Sequence, residues 1–492
     1  MLKLKLSPLC IAICLAGGIT SPAFAESDEA KVDRLIQKVN ARTAELEKEI
    51  RALKAQVSDL KRVNTKQDNR IQEVAAQKVS GPKPYGFDIL KYGAMPVITA
   101  PYVGDVSDGF NLAPDGLTII LPYTNLDLGL LKQRQRMDQA FAKADGKVPH
   151  GLLQLSGRVE TQLSGVRNTN GKTSSDIDVT DVELDFTSRV GEWVTAFAAL
   201  KYDPNAPSTT QGPRVSNSRL YLGQGFITVG NLDKSPFYGT IGQRYVQFGQ
   251  YSNPFVTGPL TRSLGRIKAR QISVSYQHPG DSGVYATLFT FKGDSRANQN
   301  LNQLGGTVGY EFKQDKWNAN VGVGYVSNIA DGESSMQPTF AVNQQLVKRV
   351  PGIAVHGKVI TGPYMFIAEY IGAKTPFDAT NMRVNGVGAK PQALHVAGVY
   401  SYTGLWNRPS EIAIGYNRAR DTQALGLPET RINVTHNMVV LKNTIFSLEY
   451  RRDKYYSAGD TASVQGVTYA PDKNTQFGGY TNTITAQLAY LF

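Results

Sequence analysis

The stretch 481–492, reading TNTITAQLAYLF, constrains the fold more than any other part of the chain. Ile484, Ala486, Leu488, Tyr490 and Phe492 fall on one face of a strand, and Thr483, Thr485, Gln487 and Ala489 fall on the other. A period of two with one apolar face belongs to a strand that meets an apolar environment on one side only. With an aromatic pair and a final Phe, it reads as the closing strand of a bacterial outer-membrane barrel.

The sequence from 151 to 492 carries the same signal repeatedly. Leu155, Gly157, Val159, Thr161 and Leu163 alternate with Ser156, Arg158, Glu160 and Gln162, and Val182, Leu184 and Phe186 alternate with Asp181, Glu183 and Asp185. Short turns are expected at 188–192, 231–236, 279–282, 314–316, 361–363, 404–408 and 440–442. Longer polar loops are expected near 165–176, 203–214, 250–264, 293–302, 328–349, 374–390, 420–427 and 454–478. The expectation is an all-β transmembrane barrel of about 16 antiparallel strands, with both termini on the short-turn, periplasmic side.

The region in front has a different character. Lys3 and Lys5, an apolar run over 9–19 and Ala23-Phe24-Ala25 read as a signal peptide over 1–25. Both cysteines, Cys10 and Cys14, lie within it, so no disulfide framework or thiolate site is expected beyond it. Over 26–79 two series recur every seven residues. One is Ile36, Thr43, Ile50, Val57, Asn64 and Ile71; the other is Val32, Val39, Leu46, Leu53, Leu60, Gln67 and Val74. They form the a and d seam of an N-terminal α-helical coiled coil, expected in the periplasm. Ile at a with Leu at d favours a dimer, and the polar layers Asn64 and Gln67 fix register. Porins commonly trimerise, so the homo-oligomer expected is a trimer.

Between these lies a connector or collar, 80–150, opened by Ser80-Gly81-Pro82-Lys83-Pro84. Its segment 124–138 is expected to be a helix capped by Thr124 or Asn125, with Asp127 in its first turn and Leu126, Leu130, Leu131 and Met137 along one face. The segment is too short for a plug of the energy-coupled receptors and is expected to pack as a periplasmic collar.

Composition restricts the function. The net charge is +12, and 12 − 2 = +10 without Lys3 and Lys5. A basic exported chain is expected to meet outer-membrane lipid, lipopolysaccharide or anionic solutes, not nucleic acid. None of His150, His278, His356, His395 and His436 shares a metal-ligand spacing, and no nucleophile or phosphate-loop motif is present, so neither enzyme activity, metal nor cofactor is expected. What remains is a pore, tuned by charges on the polar strand faces. The candidates are Arg158, Glu160, Asp181, Glu183, Asp185, Arg219, Arg244, Arg262, Arg266, Lys268, Arg270, Glu449 and Arg451. They are expected to set a basic arc against an acidic one. Arg266, Lys268 and Arg270 share a parity that Ile272, Val274 and Tyr276 would break, and a bulge is expected there.

Four stretches carry a family likeness: 124–135 (TNLDLGLLKQRQ), 155–162 (LSGRVETQ), 239–249 (GTIGQRYVQFG) and 259–266 (PLTRSLGR). Together with the coiled coil and barrel, the chain resembles the legiobactin-receptor (LbtU) family of siderophore porins. The resemblance implies passage of ferric siderophore without a plug-type domain, and it brings no residue-level binding motif. Gln247 stands where many porins have Pro, so the third stretch need not keep its usual meaning. The rival expectations are a trimeric coiled-coil porin similar to the DcaP family, taking small organic anions, and an envelope structural or adhesion barrel.

Overall fold

The computed structural model describes residues 124–145, 151–203, 219–293, 300–314, 316–336, 340, 346–441, 443–457, 459–468 and 478–492, the backbone of 89–92 and 95–99, and, nearer the N-terminus, 40–42, 44, 45, 48, 49, 51–56 and 58. The chain divides into two units, 1–80 and 81–492.

In the first unit the described residues are helical. Of the seam, only Leu53 is among them, and it is 59% exposed in the single chain. Ile36, Val39, Leu46, Ile50, Val57, Leu60, Asn64, Gln67 and Ile71 lie outside the described residues, as does the expected signal peptide.

In the second unit, alternation becomes a wall. Sixteen strands follow one another: β1 (Gly151–Asn168), β2 (Thr173–Val190), β3 (Val194–Asp203), β4 (Arg219–Gly230), β5 (Phe237–Tyr245), β6 (Lys268–Gln277), β7 (Gly283–Phe291) and β8 (Gln303–Lys313). Then come β9 (Trp317–Val326), β10 (Gly352–Thr361), β11 (Tyr364–Ala373), β12 (Gln392–Thr403), β13 (Pro409–Arg420), β14 (Thr430–Leu441), β15 (Thr444–Lys454) and β16 (Tyr480–Leu491). Each pairs antiparallel with the next, and β16 closes on β1 from Leu491 opposite Arg158 to Thr481 opposite Asn168. Closure removes every sheet edge, which is the condition for strands to cross a bilayer. No described helix is long and apolar enough to cross a membrane.

The outward face is apolar and exposed, with Leu163, Ile227, Ile241, Val274, Leu288, Val323, Phe366, Ile414 and Ile484 among its residues. Aromatic pairs gather near the short turns: Phe237–Tyr276 at 5.2 Å, Phe312–Trp317 at 5.9 Å and Tyr364–Tyr400 at 5.3 Å between ring centroids. That is the girdle of a membrane barrel, and it marks the periplasmic boundary. The terminal Phe492 exchanges backbone hydrogen bonds with Gly157 at 2.8 and 2.9 Å. A Cβ at residue 157 would sit 2.6 Å from the Phe492 ring, so only glycine admits the closing aromatic there. β1 overhangs β16 at this end, and the hairpin 89–99 lays residues 97–99 parallel against 153–155.

The long-loop end is covered. Residues 382–384 and 387–388, from the loop after β11, pair with 462–464 and 467–468, from the loop after β15, in a four-stranded sheet. Beneath it an apolar cluster joins Phe248, Leu260, Leu264, Ile329, Met336, Phe340, Ile371, Phe377 and Val464. One expected long loop is absent: β1 and β2 run on to Asn168 and Thr173, leaving only four residues, 169–172, in the turn. The polar run 173–176 lacks an apolar alternation because it pairs beyond the apolar band.

Candidate functional site in the barrel lumen

The lumen is occupied from both ends. Helix α1 (Leu126–Asp145) begins one residue after Asn125, whose carbonyl accepts the first helical N–H, and carries Asp127 in its first turn. It lies against the inner face of β1–β5. Leu126 and Leu130 pack with Phe197, Ala199 and Phe226; Leu128 and Leu131 pack with Tyr238. Leucines are buried on more than one face because the helix is enclosed by wall. Thr124 donates to the Gly249 carbonyl at 2.7 Å instead of capping the helix.

Asp127 is fully buried and forms an ion pair with Arg244, itself 1% exposed. Thr240 donates to Asp127 at 2.9 Å and Gln247 at 3.2 Å, while Arg244 also donates to the Thr124 carbonyl at 3.1 Å. Further along, Arg189 pairs with Asp138, Arg134 donates to the Gly191 carbonyl at 2.8 Å, and Gln135 donates to Asp233 at 2.6 Å. Burial, with Arg189 beside it, pulls the Arg134 guanidinium below its ordinary value. These last contacts lie at the short turns, so α1 sits in the periplasmic half of the lumen.

The loop 246–267 enters from the other side of the wall and contains α2 (Leu260–Gly265). Its anchor is Glu369 on β11, which accepts from Gln250 N at 2.8 Å, Tyr251 N at 3.0 Å and Thr261 Oγ at 2.7 Å. Its far end reaches β13–β15: Leu260 N donates to Asn417 at 3.0 Å, Thr257 N donates to Glu449 at 3.1 Å, and Arg431 donates to the Gly258 carbonyl at 3.0 Å. The loop therefore crosses the lumen. Register places His356 opposite Glu369, and Glu369 opposite His395. Spacing along the chain does not reveal this row. His356 Nε2 bonds the Tyr285 hydroxyl at 2.8 Å and His395 Nδ1 bonds Asn417 at 3.0 Å, while His356 Nδ1 and His395 Nε2 are buried without a hydrogen-bond partner.

Between these two elements lies the charged inner wall of β1–β3. Arg158 pairs with Glu160 at 3.0 Å, with Asp181, and with Glu183 at 3.5 Å; Lys201 reaches Glu183 at 3.0 Å and Asp181 at 3.7 Å. Asp185 is buried two residues further along the same face. On β15, separated from β1 only by the closing strand β16, Arg451 holds Asp453 at 3.2 Å and donates to Thr257 at 2.8 Å, and Glu449 also accepts from Thr435 at 3.0 Å. Opposite charges are neighbours here rather than separated into arcs.

The structure thus brings together Arg158, Glu160, Asp181, Glu183 and Asp185, and sets Glu449 with Arg451 and Arg244 with α1. Lys201, Asp127, Glu369 and Asp453 complete these contacts and were not nominated from sequence. Five candidates stand elsewhere. Arg219 is exposed at the end of β4, opposite Asp203 in register. Arg262 lies half-buried on α2. Arg266 pairs with Glu333 of the loop 327–351, and Lys268 lies 3.9 Å from the same carboxylate, so the two clasp two loops together. Arg270 is exposed on the outward face with Ile272 and Val274. Register from Tyr245 opposite Lys268 to Phe237 opposite Tyr276 is unbroken, so the expected bulge is absent. Parity is kept; the face changes from cationic to apolar because it passes from headgroup level into the hydrocarbon.

A closed sixteen-stranded barrel with an apolar exterior, a charged interior and inward-folded segments defines a porin-like protein of the outer membrane. Residues 99–352 match the family described as "Protein of unknown function (DUF3573)". A UPF0422 protein of Coxiella burnetii is 32% identical over 458 residues, 91% of this chain and 93% of that one. One of Legionella pneumophila is 34% identical over 421 residues, 81% of this chain and 77% of its own length. The chain belongs to this UPF0422 family. Solved structures with a similar fold include an anion-selective porin from Comamonas acidovorans, with a TM-score of 0.48 and 13% identity over 70% of this chain and 100% of that one. The DcaP channel of Acinetobacter baumannii gives 0.44 and 17%, over 70% and 99%.

Proposed function

We propose that this barrel carries a bulky solute across the outer membrane by a route that α1 gates, and that the solute is a ferric siderophore, the cargo implied by the likeness to the LbtU family. The observation that supports gating is the Asp127–Arg244 pair, which ties a connector helix inside the lumen. A diffusion porin keeps a water-filled lumen. A helix held to the wall by side-chain contacts alone, with this pair the most buried of its ion pairs, can be released as a unit. Wall charge supports the preference over a small-anion channel. On the wall strands, buried inward carboxylates (Glu160, Glu183, Asp185, Glu369, Glu411, Glu449 and Asp453) outnumber the buried inward cations Arg158, Arg189, Lys201 and Arg244. In this proposal the chain works as a homo-oligomer, a trimer, joined through the seam of 26–79.

The test is uptake of radiolabelled ferric siderophore by iron-starved cells with and without the gene. Loss of uptake, restored by the gene, is the expected result. Unchanged uptake together with anion-selective conductance in planar bilayers would replace the siderophore with small organic anions. Unchanged uptake with negligible conductance would replace transport with an envelope structural role.

A further inference from the structure

The outward face carries a basic belt at the long-loop end that pore chemistry does not use. Arg418 and Arg420 on β13, and Arg452 and Lys454 on β15, are all exposed on the lipid-facing parity. Register aligns them: Arg418 is opposite Thr430, and Thr430 opposite Lys454; Tyr416 is opposite Ile432, and Ile432 opposite Arg452. Two strand spacings, about 10 Å, separate the two basic columns. Asn482 lies opposite both Arg452 and the exposed Arg167 of β1, so the belt runs round to the closure.

Directly beneath, on the same face, stand exposed Ile414, Val434, Leu448 and Ile484, with Tyr416, Tyr450 and Tyr480 at the boundary. Arg452 lies over the Tyr480 ring at 4.3 Å. Among the described residues one carboxylate answers the four cations: Glu429, 3.2 Å from Lys454. Asp453 belongs to the inner face, and Asp421 accepts from Lys390 N at 3.0 Å. Cations on a lipid-facing wall are costly within the hydrocarbon and cost little at its boundary. Placed above an apolar band, they meet anionic headgroups whose acyl chains cover the residues below. A soluble anion would have to displace lipid to reach them.

The geometry points to a docking site for the phosphate groups of outer-leaflet lipopolysaccharide on β13–β15, its acyl chains lying against Ile414, Val434, Leu448 and Ile484. The full chain and its Arg418→Gln/Arg420→Gln/Arg452→Gln/Lys454→Gln variant would be purified in mild detergent. Bound lipopolysaccharide would be counted by native mass spectrometry, then titrated in phosphorylated and dephosphorylated form. The expected result is a tenfold or greater loss of affinity in the variant. The dephosphorylated form should bind the unaltered protein as weakly as the variant binds the phosphorylated one. Equal retention by both proteins, or equal binding of both lipid forms, would overturn the site. The matching Arg→Lys variant should retain binding, which separates lost charge from a misfolded barrel; heat-modified gel migration checks the barrel itself.

Discussion

Replacing Asp127 by Ala tests whether α1 is a tethered element of the lumen. The substitution removes a fully buried carboxylate and leaves Arg244, 1% exposed, without its counter-ion. Breaking a buried pair on one side costs about 3–5 kcal/mol. The helix keeps Leu126, Leu128, Leu130 and Leu131, all buried. Each contributes roughly 1.5–3 kcal/mol. Docking therefore survives as the major state, while the undocked population rises by roughly two to four orders of magnitude, at about 1.4 kcal/mol per factor of ten. Hydrogen exchange reads this directly: protection of the α1 amides should fall by that factor while β8–β16 stay protected. Single-channel records should gain brief openings of higher conductance. Arg244→Leu alone should act in the same direction. The double variant Asp127→Ala/Arg244→Leu should cost clearly less than the sum, because no charge is then left buried. Unchanged α1 protection in Asp127→Ala, or a strictly additive double variant, would refute the tether.

Other substitutions separate the lumen's parts. Arg158→Ala removes the cation shared by Glu160, Asp181 and Glu183 and should lower barrel stability by about 3–5 kcal/mol, read as a lower urea midpoint in refolding. Glu369→Ala removes an acceptor of three hydrogen bonds from the loop 246–267; the loop should become protease-sensitive and conductance should rise, with the wall strands unchanged. Arg451→Ala should shift the reversal potential toward cations, whereas Arg270→Ala, on the outward face, should leave it in place. Deleting 31–79 should leave a folded barrel with loosened oligomers on a native gel; intact trimers would show that the walls assemble alone.

The wall was legible in the sequence because a barrel strand has one apolar face with a period of two. The closing strand and its neighbours followed from alternation alone, and the short turns followed from turn chemistry. The loop expected at 165–176 was not a loop, since beyond the apolar band a strand can be polar on both faces and still pair. The interior was less legible. Asp127 announced itself only as an acidic residue in a helix's first turn; its ion pair with Arg244 joins positions far apart in the chain. Glu369 looked like one inward carboxylate among many, and only the fold of the loop 246–267 makes it an anchor.

One signal was present and misplaced. Ile177 and Val179 share odd parity, whereas Val182, Leu184 and Phe186 share even parity, so the apolar face changes step at Thr180. The ladder between β1 and β2 slips at this point: Glu160 is opposite Asp181, yet Thr161 is opposite Val179. Ile177, Val179 and Leu184 are consequently all exposed on the outward face, at 76%, 38% and 37%. The same slip keeps Asp181, Glu183 and Asp185 on the lumen side. Without the extra residue, either these three carboxylates or the two apolar residues would change faces, since a one-residue shift inverts every side chain beyond it. Carboxylates turned into hydrocarbon would be far more costly than one unpaired backbone position. The bulge at Thr180 is therefore what allows one strand to keep both its lipid-facing residues and the partners of Arg158 and Lys201. A parity break with apolar residues on both sides marks a bulge. A change from cations to apolar residues at constant parity, as from Arg270 to Ile272, marks only the depth at which the strand enters the membrane.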